Sequence, residues 1–286
     1  MNTMASEPTT GLPIERIVAT SDLSAFADLA ITRSMVLAEH HGASLIIVHA
    51  CAANETAEAE RSLRDRAERI GAGDAEIDVR VGPPFVEIIR AAREVDADLI
   101  VTGAHGPSWH PLALTGSTAE RVARKGDRPV LVVRQRAVTP YRRVVTAIDA
   151  SQHAVEALEY ALRLFDDADH SVVHGVKVLG TAKLRVIDPP GIRKLEDSAL
   201  DAATDTIATL LEGVWTGGPA IIRYGDAAEV VADFATEWDA DLVVAGTRGV
   251  GALPYVLLGS TAQRILRESP TDVMLVRHGP VAFELP

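Results

Sequence analysis

The feature that most constrains this chain is that it repeats itself. Ile17-Val18-Ala19-Thr20-Ser21-Asp22-Leu23-Ser24 and Val144-Val145-Thr146-Ala147-Ile148-Asp149-Ala150-Ser151 are both aliphatic runs closing on Asp-x-Ser. Leu45-Ile46-Ile47-Val48-His49 stands to Ser171-Val172-Val173-His174 as Arg80-Val81-Gly82 stands to Arg223-Tyr224-Gly225. Asp96-Ala97-Asp98-Leu99-Ile100-Val101-Thr102-Gly103 matches Asp239-Ala240-Asp241-Leu242-Val243-Val244-Ala245-Gly246, and Arg128 to Val133 matches Thr271 to Val276. Asp22 and Asp149 lie 127 residues apart, whereas Gly103 and Gly246 lie 143 apart, so the second half carries a net insertion of 16 residues. It falls mostly in Lys177 to Gly218, around the turn signal Asp188-Pro189-Pro190-Gly191. The linker lies near Gln135 to Tyr141.

Between the aliphatic runs lie stretches with helical spacing. Ala25 to His40 places Ile31, Met35 and Ala38 on one side, Ala57 to Ile70 is charged and amphipathic, Phe85 to Glu94 pairs Ile88 with Ile89, and Thr118 to Lys125 follows the last glycine. Each half therefore reads β-α-β-α-β-α-β-α-β. That alternation predicts an α/β fold, two tandem doubly wound five-stranded parallel-sheet domains over residues 14–134 and 142–277. Aromatic residues are only 4% of the 286, so the core must be Val, Ile, Leu and Ala, as buried parallel strands require. Right-handed crossovers put the strand C-termini on one edge, and ligands bind there where the strand order reverses.

Charge and cysteine content narrow the partners. The formal net charge is −12 with no basic run, which argues against nucleic acid and against anionic membrane surfaces. No run of about 18 apolar residues exists to span a bilayer. Met1 to Leu12 lacks the pattern of a secretory signal and reads as a loose tail. Cys51 is the single cysteine, consistent with a small buried hydrophobe in a reducing compartment, the cytoplasm.

The chemistry-bearing pattern is Gly-x2-Gly-x9-Gly-Ser, present twice with identical spacing. It is Gly103, Gly106, Gly116 and Ser117 in the first half, and Gly246, Gly249, Gly259 and Ser260 in the second. The first glycine ends a strand where the chain must turn, and glycine tolerates positive φ and lets backbone N–H groups approach a ligand. Gly116-Ser117-Thr118 and Gly259-Ser260-Thr261 then open a helix, with Ser117-x-x-Glu120 and Ser260-x-x-Gln263 reading as capping boxes. Free N–H groups and a positive dipole end at such a start favour an anion. Asp22 and Asp149 end the first strand beside that loop. A carboxylate there serves either as an acceptor for a ribose or base (or a metal ligand), or as an N-cap of the next helix. His105 and Arg248 share one place between the paired glycines, as phosphate contacts or as solvated loop side chains. His49 and His174 read as structural residues, packed or hydrogen-bonded. No P-loop lysine motif, Gly-x-Gly-x-x-Gly after the first strand, Gly-x-Ser-x-Gly elbow or Cys/His cluster occurs, so no catalytic residue is assigned.

On these motifs the chain resembles the universal stress protein family in its ATP-binding branch, over Ile14 to Arg134 and Arg142 to Arg277. The resemblance implies the strand order 3-2-1-4-5 and ATP as ligand, with Mg2+. It places Asp22 and Asp149 near the adenosine, and Thr20, Ala50, Ala147 and Gly175 along the adenine pocket. It sets the glycine loops on ribose and phosphates, and Ser117, Thr118, Ser260 and Thr261 at the terminal phosphates. Pro107, Trp109 and Pro111 depart from the usual first loop, and Gly175 replaces an aliphatic residue expected at the base. Family members pair through their last strand, which implies that Val130–Val133 and Val273–Val276 pair within this chain about a pseudo-two-fold, with a further homodimer left open. Three functions compete: an ATP-binding regulatory protein of stress response acting as a nucleotide-dependent switch on an unknown protein partner, a slow ATPase or adenylyl-transfer enzyme, and a nucleotide-free interaction module.

Overall fold

The computed structural model describes residues 14–104, 118–136, 139–178, 189–247 and 258–277. The first half runs β1 (Arg16–Ser21), α1 (Ala25–His41), β2 (Ser44–Cys51), α2 (Thr56–Arg69), β3 (Glu76–Val81), α3 (Pro84–Glu94), β4 (Leu99–Gly103), α4 (Thr118–Lys125) and β5 (Val130–Val133). The second repeats the plan: β6 (Arg143–Ala147), α5 (Gln152–Leu164), β7 (Asp169–Val176), α6 (Pro189–Leu211), β8 (Ile221–Tyr224), α7 (Ala227–Glu237), β9 (Leu242–Gly246), α8 (Ser260–Glu268) and β10 (Asp272–Val276). The insertion shows in α6, which has 23 residues where α2 has 14. The tail at residues 1–12 lies outside the described residues.

All ten strands form one sheet in the order β3-β2-β1-β4-β5-β10-β9-β6-β7-β8. Within each half every pairing is parallel. The halves join where β5 meets β10 antiparallel, with Val132 opposite Val273, Leu131 opposite Met274 and Val130 opposite Leu275. Each half thus has the order 3-2-1-4-5, and the two are related by a pseudo-two-fold through this junction. No helix among the described residues is long and apolar enough to cross a membrane.

Alternate residues of each strand face opposite layers, and both layers run across the junction. Val18, Val132, Val243 and Val273 pack under α3, α4, α7 and α8. Ile17, Leu131, Leu242 and Met274 pack against α1 and α5 through Leu37 and Leu164. The outer helices cover the sheet ends, α2 with Leu63 over Ile47 and α6 with Ile207 over Val172. The two repeats share one continuous interior.

A polar network ties the linker into that interior. Asp272, wholly buried at the start of β10, accepts the N–H groups of Arg134 at 2.7 Å and Gln135 at 3.0 Å, and the Tyr141 hydroxyl at 2.7 Å. Arg33 of α1 approaches the same carboxylate to 3.5 Å, stacks 3.9 Å over the Tyr141 ring and donates to Thr139 O at 2.8 Å. A second exchange is nearly symmetric. Arg134, just beyond β5, donates to Leu266 O at the end of α8, and Arg277, just beyond β10, donates to Arg124 O at the end of α4 at 3.0 Å. Each guanidinium meets the negative end of the other half's last helix.

Replacing Asp272 with Asn leaves the Arg33 charge buried without its partner, a loss on the order of 3 kcal/mol for a broken buried pair, readable as a lower denaturant midpoint. Burial, and then the Asp272 carboxylate, hold the Tyr141 phenol well above its ordinary pKa. A raised pKa favours the neutral folded form, so this contribution is complete below about pH 10 and is lost as pH rises beyond it. Thermal unfolding scans should therefore show an alkaline decline in stability that is reduced in Tyr141→Phe.

Candidate functional site

Each half has one switch point, where β1 lies between β2 and β4 and where β6 lies between β7 and β9. The chain after β1 turns at Leu23, whose φ of 61° puts a branched residue in the left-handed region. Ser24 then caps α1, its hydroxyl accepting from Ala27 N at 3.2 Å. The second half does the same with Ser151 and Ala154 N at 3.3 Å. The serines are the N-caps, so the aspartates have another part. Asp22 accepts from Ser24 N at 3.0 Å and Asp149 from Ser151 N at 3.1 Å. Each closes a turn two residues long just after the first strand of its half. Asp22 is exposed there and Asp149 half-buried.

Behind each turn a histidine locks the floor. His49 donates from Nδ1 to Ser21 O at 2.8 Å, and His174 from Nδ1 to Ile148 O at 2.7 Å. A carbonyl can only accept, so the bond fixes the tautomer and binds the C-terminal end of the second strand to that of the first. Both act as the structural residues the sequence suggested.

Thr20 is buried near the end of β1, Ala50 is half-buried near the end of β2, and Gly103 ends β4 on the same edge. Ala147, Gly175 and Gly246 take the corresponding places at β6, β7 and β9. Gly103 is glycine for a reason other than the one expected. Its φ is not in the positive region, but a Cβ there would lie 2.9 Å from Phe26 O, so the first turn of α1 packs directly on the strand. Gly175 has the same origin, since a Cβ would stand 2.6 Å from Ala227 Cα and α7 occupies the space of the missing side chain.

The helix starts also depart from the sequence reading. The N-cap of α8 is Gly259 (φ −66°, ψ 153°), not Ser260. Its N–H donates to Thr247 O at 2.8 Å, closing the loop from β9, and its carbonyl accepts from Gln263 N at 2.9 Å. The expected capping box therefore does not form in this half, because the Gln263 side chain instead donates to Glu120 Oε1 across the junction at 2.6 Å. Ser260 and Thr261 stand exposed in the first turn, as Thr118 does in α4. His105, Gly106, Gly116, Ser117, Arg248 and Gly249 lie outside the described residues.

Sequence reasoning missed the second use of the Asp-Ala-Asp repeat. Asp98 accepts from Glu15 N and Arg16 N at 2.8 and 2.9 Å, and Asp241 from Arg142 N and Arg143 N at 2.8 and 2.9 Å, so each carboxylate pins the start of its half's first strand. The preceding aspartates, Asp96 and Asp239, take φ of 50° and 47°. Identical spacing in both halves was the available signal. Cys51 is half-buried at the end of β2, and burial, then the Glu55 carboxylate, push its thiol pKa up. Among the described residues one group of metal-capable side chains converges, His40 with Asp166 and Asp167. It sits at the C-terminal ends of α1 and α5, away from both crevices.

Fold and crevices define a tandem of doubly wound α/β modules, each with an acidic turn and a helix start at its switch point. The sequence pattern of the universal stress protein family matches residues 13–134 and again 140–277. The chain belongs to that family. It is 28% identical over 218 residues to universal stress protein Rv2623 of Mycobacterium tuberculosis, covering 70% of this chain and 71% of that protein. It is 25% identical over 159 residues to universal stress protein Sll1388 of Synechocystis, which aligns over 99% of its own length with 48% of this chain. A crystal structure of a universal stress protein from Archaeoglobus fulgidus superposes with a TM-score of 0.66 over 92% of this chain and 96% of that one, at 23% identity, a likeness of fold.

Gly175→Ala must push the α7 main chain away from β7. It should lower unfolding free energy by about 1–3 kcal/mol, the range for overpacking, as read by chemical denaturation.

Proposed function

We propose that this universal stress protein is an ATP-binding regulatory protein of stress response, with one nucleotide at the C-terminal strand edge of each half. The observation that carries the reading is the repeated crevice: an Asp-x-Ser turn over the end of the first strand, beside a strand-end glycine and a helix start. The carboxylates of Asp22 and Asp149 are acceptors suited to ribose hydroxyls. Thr20 with Ala50, and Ala147 in the second half, offer a small-residue floor for a flat base, with the main chain of Gly175, covered by α7, beside it. Gly259, Ser260 and Thr261 present N–H and hydroxyl groups to phosphates, and Thr118 does so in the first half. Gly103, His105, Gly106, Gly116 and Ser117, with Gly246, Arg248 and Gly249, complete the two sets. Mg2+ accompanies the phosphates, and the protein works as a switch by presenting a different surface to its partner when loaded. The same crevices serve a slow ATPase if a water reaches the terminal phosphate, which steady release of phosphate would reveal.

Isothermal titration of the full chain with ATP and Mg2+ tests this. Asp149→Ala and Asp22→Ala should each weaken binding in their own half by about tenfold or more, since a charged acceptor bond is worth about 1.5–3 kcal/mol. A chain that takes up no ATP, or whose binding ignores both substitutions, overturns the proposal. The exposed Leu195 on the long α6 would then be the first place to look for a protein partner.

A further inference from the structure

The two halves also meet away from the crevices, where the C-terminal ends of α1 and α5 come together. Leu37 and Leu164, 127 residues apart and so equivalent in the repeat, are buried in one layer over the junction. His40 lies in the last turn of α1, which closes on Gly42 with a φ of 68° and on the bond from Ala43 N to Ala38 O at 2.9 Å. Asp166 and Asp167 follow α5 in a turn held at the Phe165 carbonyl, which accepts from Ala168 N at 3.0 Å and from His170 Nε2 at 2.8 Å. The His40 ring and the two carboxylates each bring one donor atom to within 4.8 Å of the others. Among the described residues Asp28, Asp78 and Asp127 each hold an arginine, whereas neither Asp166 nor Asp167 has a Lys or Arg partner. His41 extends the group. Its ring meets that of His40 edge-on at 4.7 Å, and its Nε2 is buried without a hydrogen-bond partner among the described residues.

We propose that His40, Asp166 and Asp167 form a site for one divalent transition-metal ion of the Zn2+ class, which ties the first half to the second. The donor set carries the choice of ion. An imidazole nitrogen suits Zn2+ and its neighbours, whereas Mg2+ and Ca2+ take oxygen ligands. Donors stand about 2.0–2.2 Å from such an ion, so atoms within 4.8 Å of one another reach a common centre by small side-chain rotations. All three residues are exposed, so the ion enters from solvent and water completes its coordination. The electrostatics favour it as well. Two carboxylates without an arginine stand at the negative ends of two helices, where a cation is stabilised. The edge-on ring of His41 backs the imidazole of His40. Neither half carries the set alone, since the nitrogen comes from the first and both carboxylates from the second. An ion held in this way binds only when the halves are folded and joined, and so stabilises that state.

The test is calorimetric titration of the full chain, free of any affinity tag and stripped with chelator, with Zn2+ alone at neutral pH. One ion per chain should bind. His40→Gln, and Asp166→Asn together with Asp167→Asn, should each weaken that binding by about tenfold or more. The thermal unfolding midpoint should rise with Zn2+ in the unsubstituted chain and not in His40→Gln. Asp22→Ala, in a crevice, should bind Zn2+ as the unsubstituted chain does, which keeps the result independent of the nucleotide reading. A chain that binds no Zn2+, or binds it equally well after both sets of substitutions, overturns the proposal. So does a loss of binding in Asp22→Ala, which puts the ion in the crevice. Displacement of Zn2+ by equimolar Mg2+ or Ca2+ also overturns it, since the group is then an acidic patch without selectivity.

Discussion

The structure depends on one pairing, the antiparallel contact of β5 with β10. Each half ends on a short aliphatic strand whose outer edge, left alone, would present unpaired N–H and C=O groups and bare Val and Leu side chains. Joined, the two edges cancel. All four residues of β5 and all five of β10 are buried, and the hydrophobic layers on both faces continue from one half to the other. The polar exchanges at the junction fit around this pairing. Arg134 and Arg277 reach the far helix ends, Asp272 gathers the linker, and Glu120 meets Gln263. Because the strands run in opposite directions there, the two crevices open on opposite edges of the sheet.

The sheet also decides how each crevice is built. A helix that starts beside the end of β4 or β7 must come close to it, and glycine permits that approach at Gly103 and Gly175. The acidic turns after β1 and β6 are held from beneath by a histidine and from in front by the capping serine. The turns are closed by hydrogen bonds within the chain, Ser24 N to Asp22 and Ser151 N to Asp149. α4 and α8 meet at the junction through the Gln263–Glu120 hydrogen bond.

Much of the fold was legible in the sequence because duplication doubles every signal. The aliphatic runs, the helical spacings and the matched Asp-x-Ser turns fall on β1, α1, β6 and α5. The pairing of β5 with β10 was implied by the family resemblance and is what the structure has, but the polar contacts around it were not legible, since the partners of Asp272, Arg134 and Arg277 lie far along the chain and no local pattern names them. Gly103 was read as a point of unusual φ, but its constraint is the main chain of α1 arriving against it. The capping boxes were read from spacing alone, and Gln263 is drawn off by Glu120, a contact that depends on how the halves pack. Six of the residues matched to the family's loops, among them His105 and Arg248, fall outside the described residues. The assignment of those six rests on sequence.

The most direct measurement is native mass spectrometry of the intact chain at saturating ATP and Mg2+. Two crevices on one duplicated sheet predict a limiting mass increase of two nucleotides per chain, reached in two steps. A chain that stays at its unliganded mass under those conditions contradicts the account.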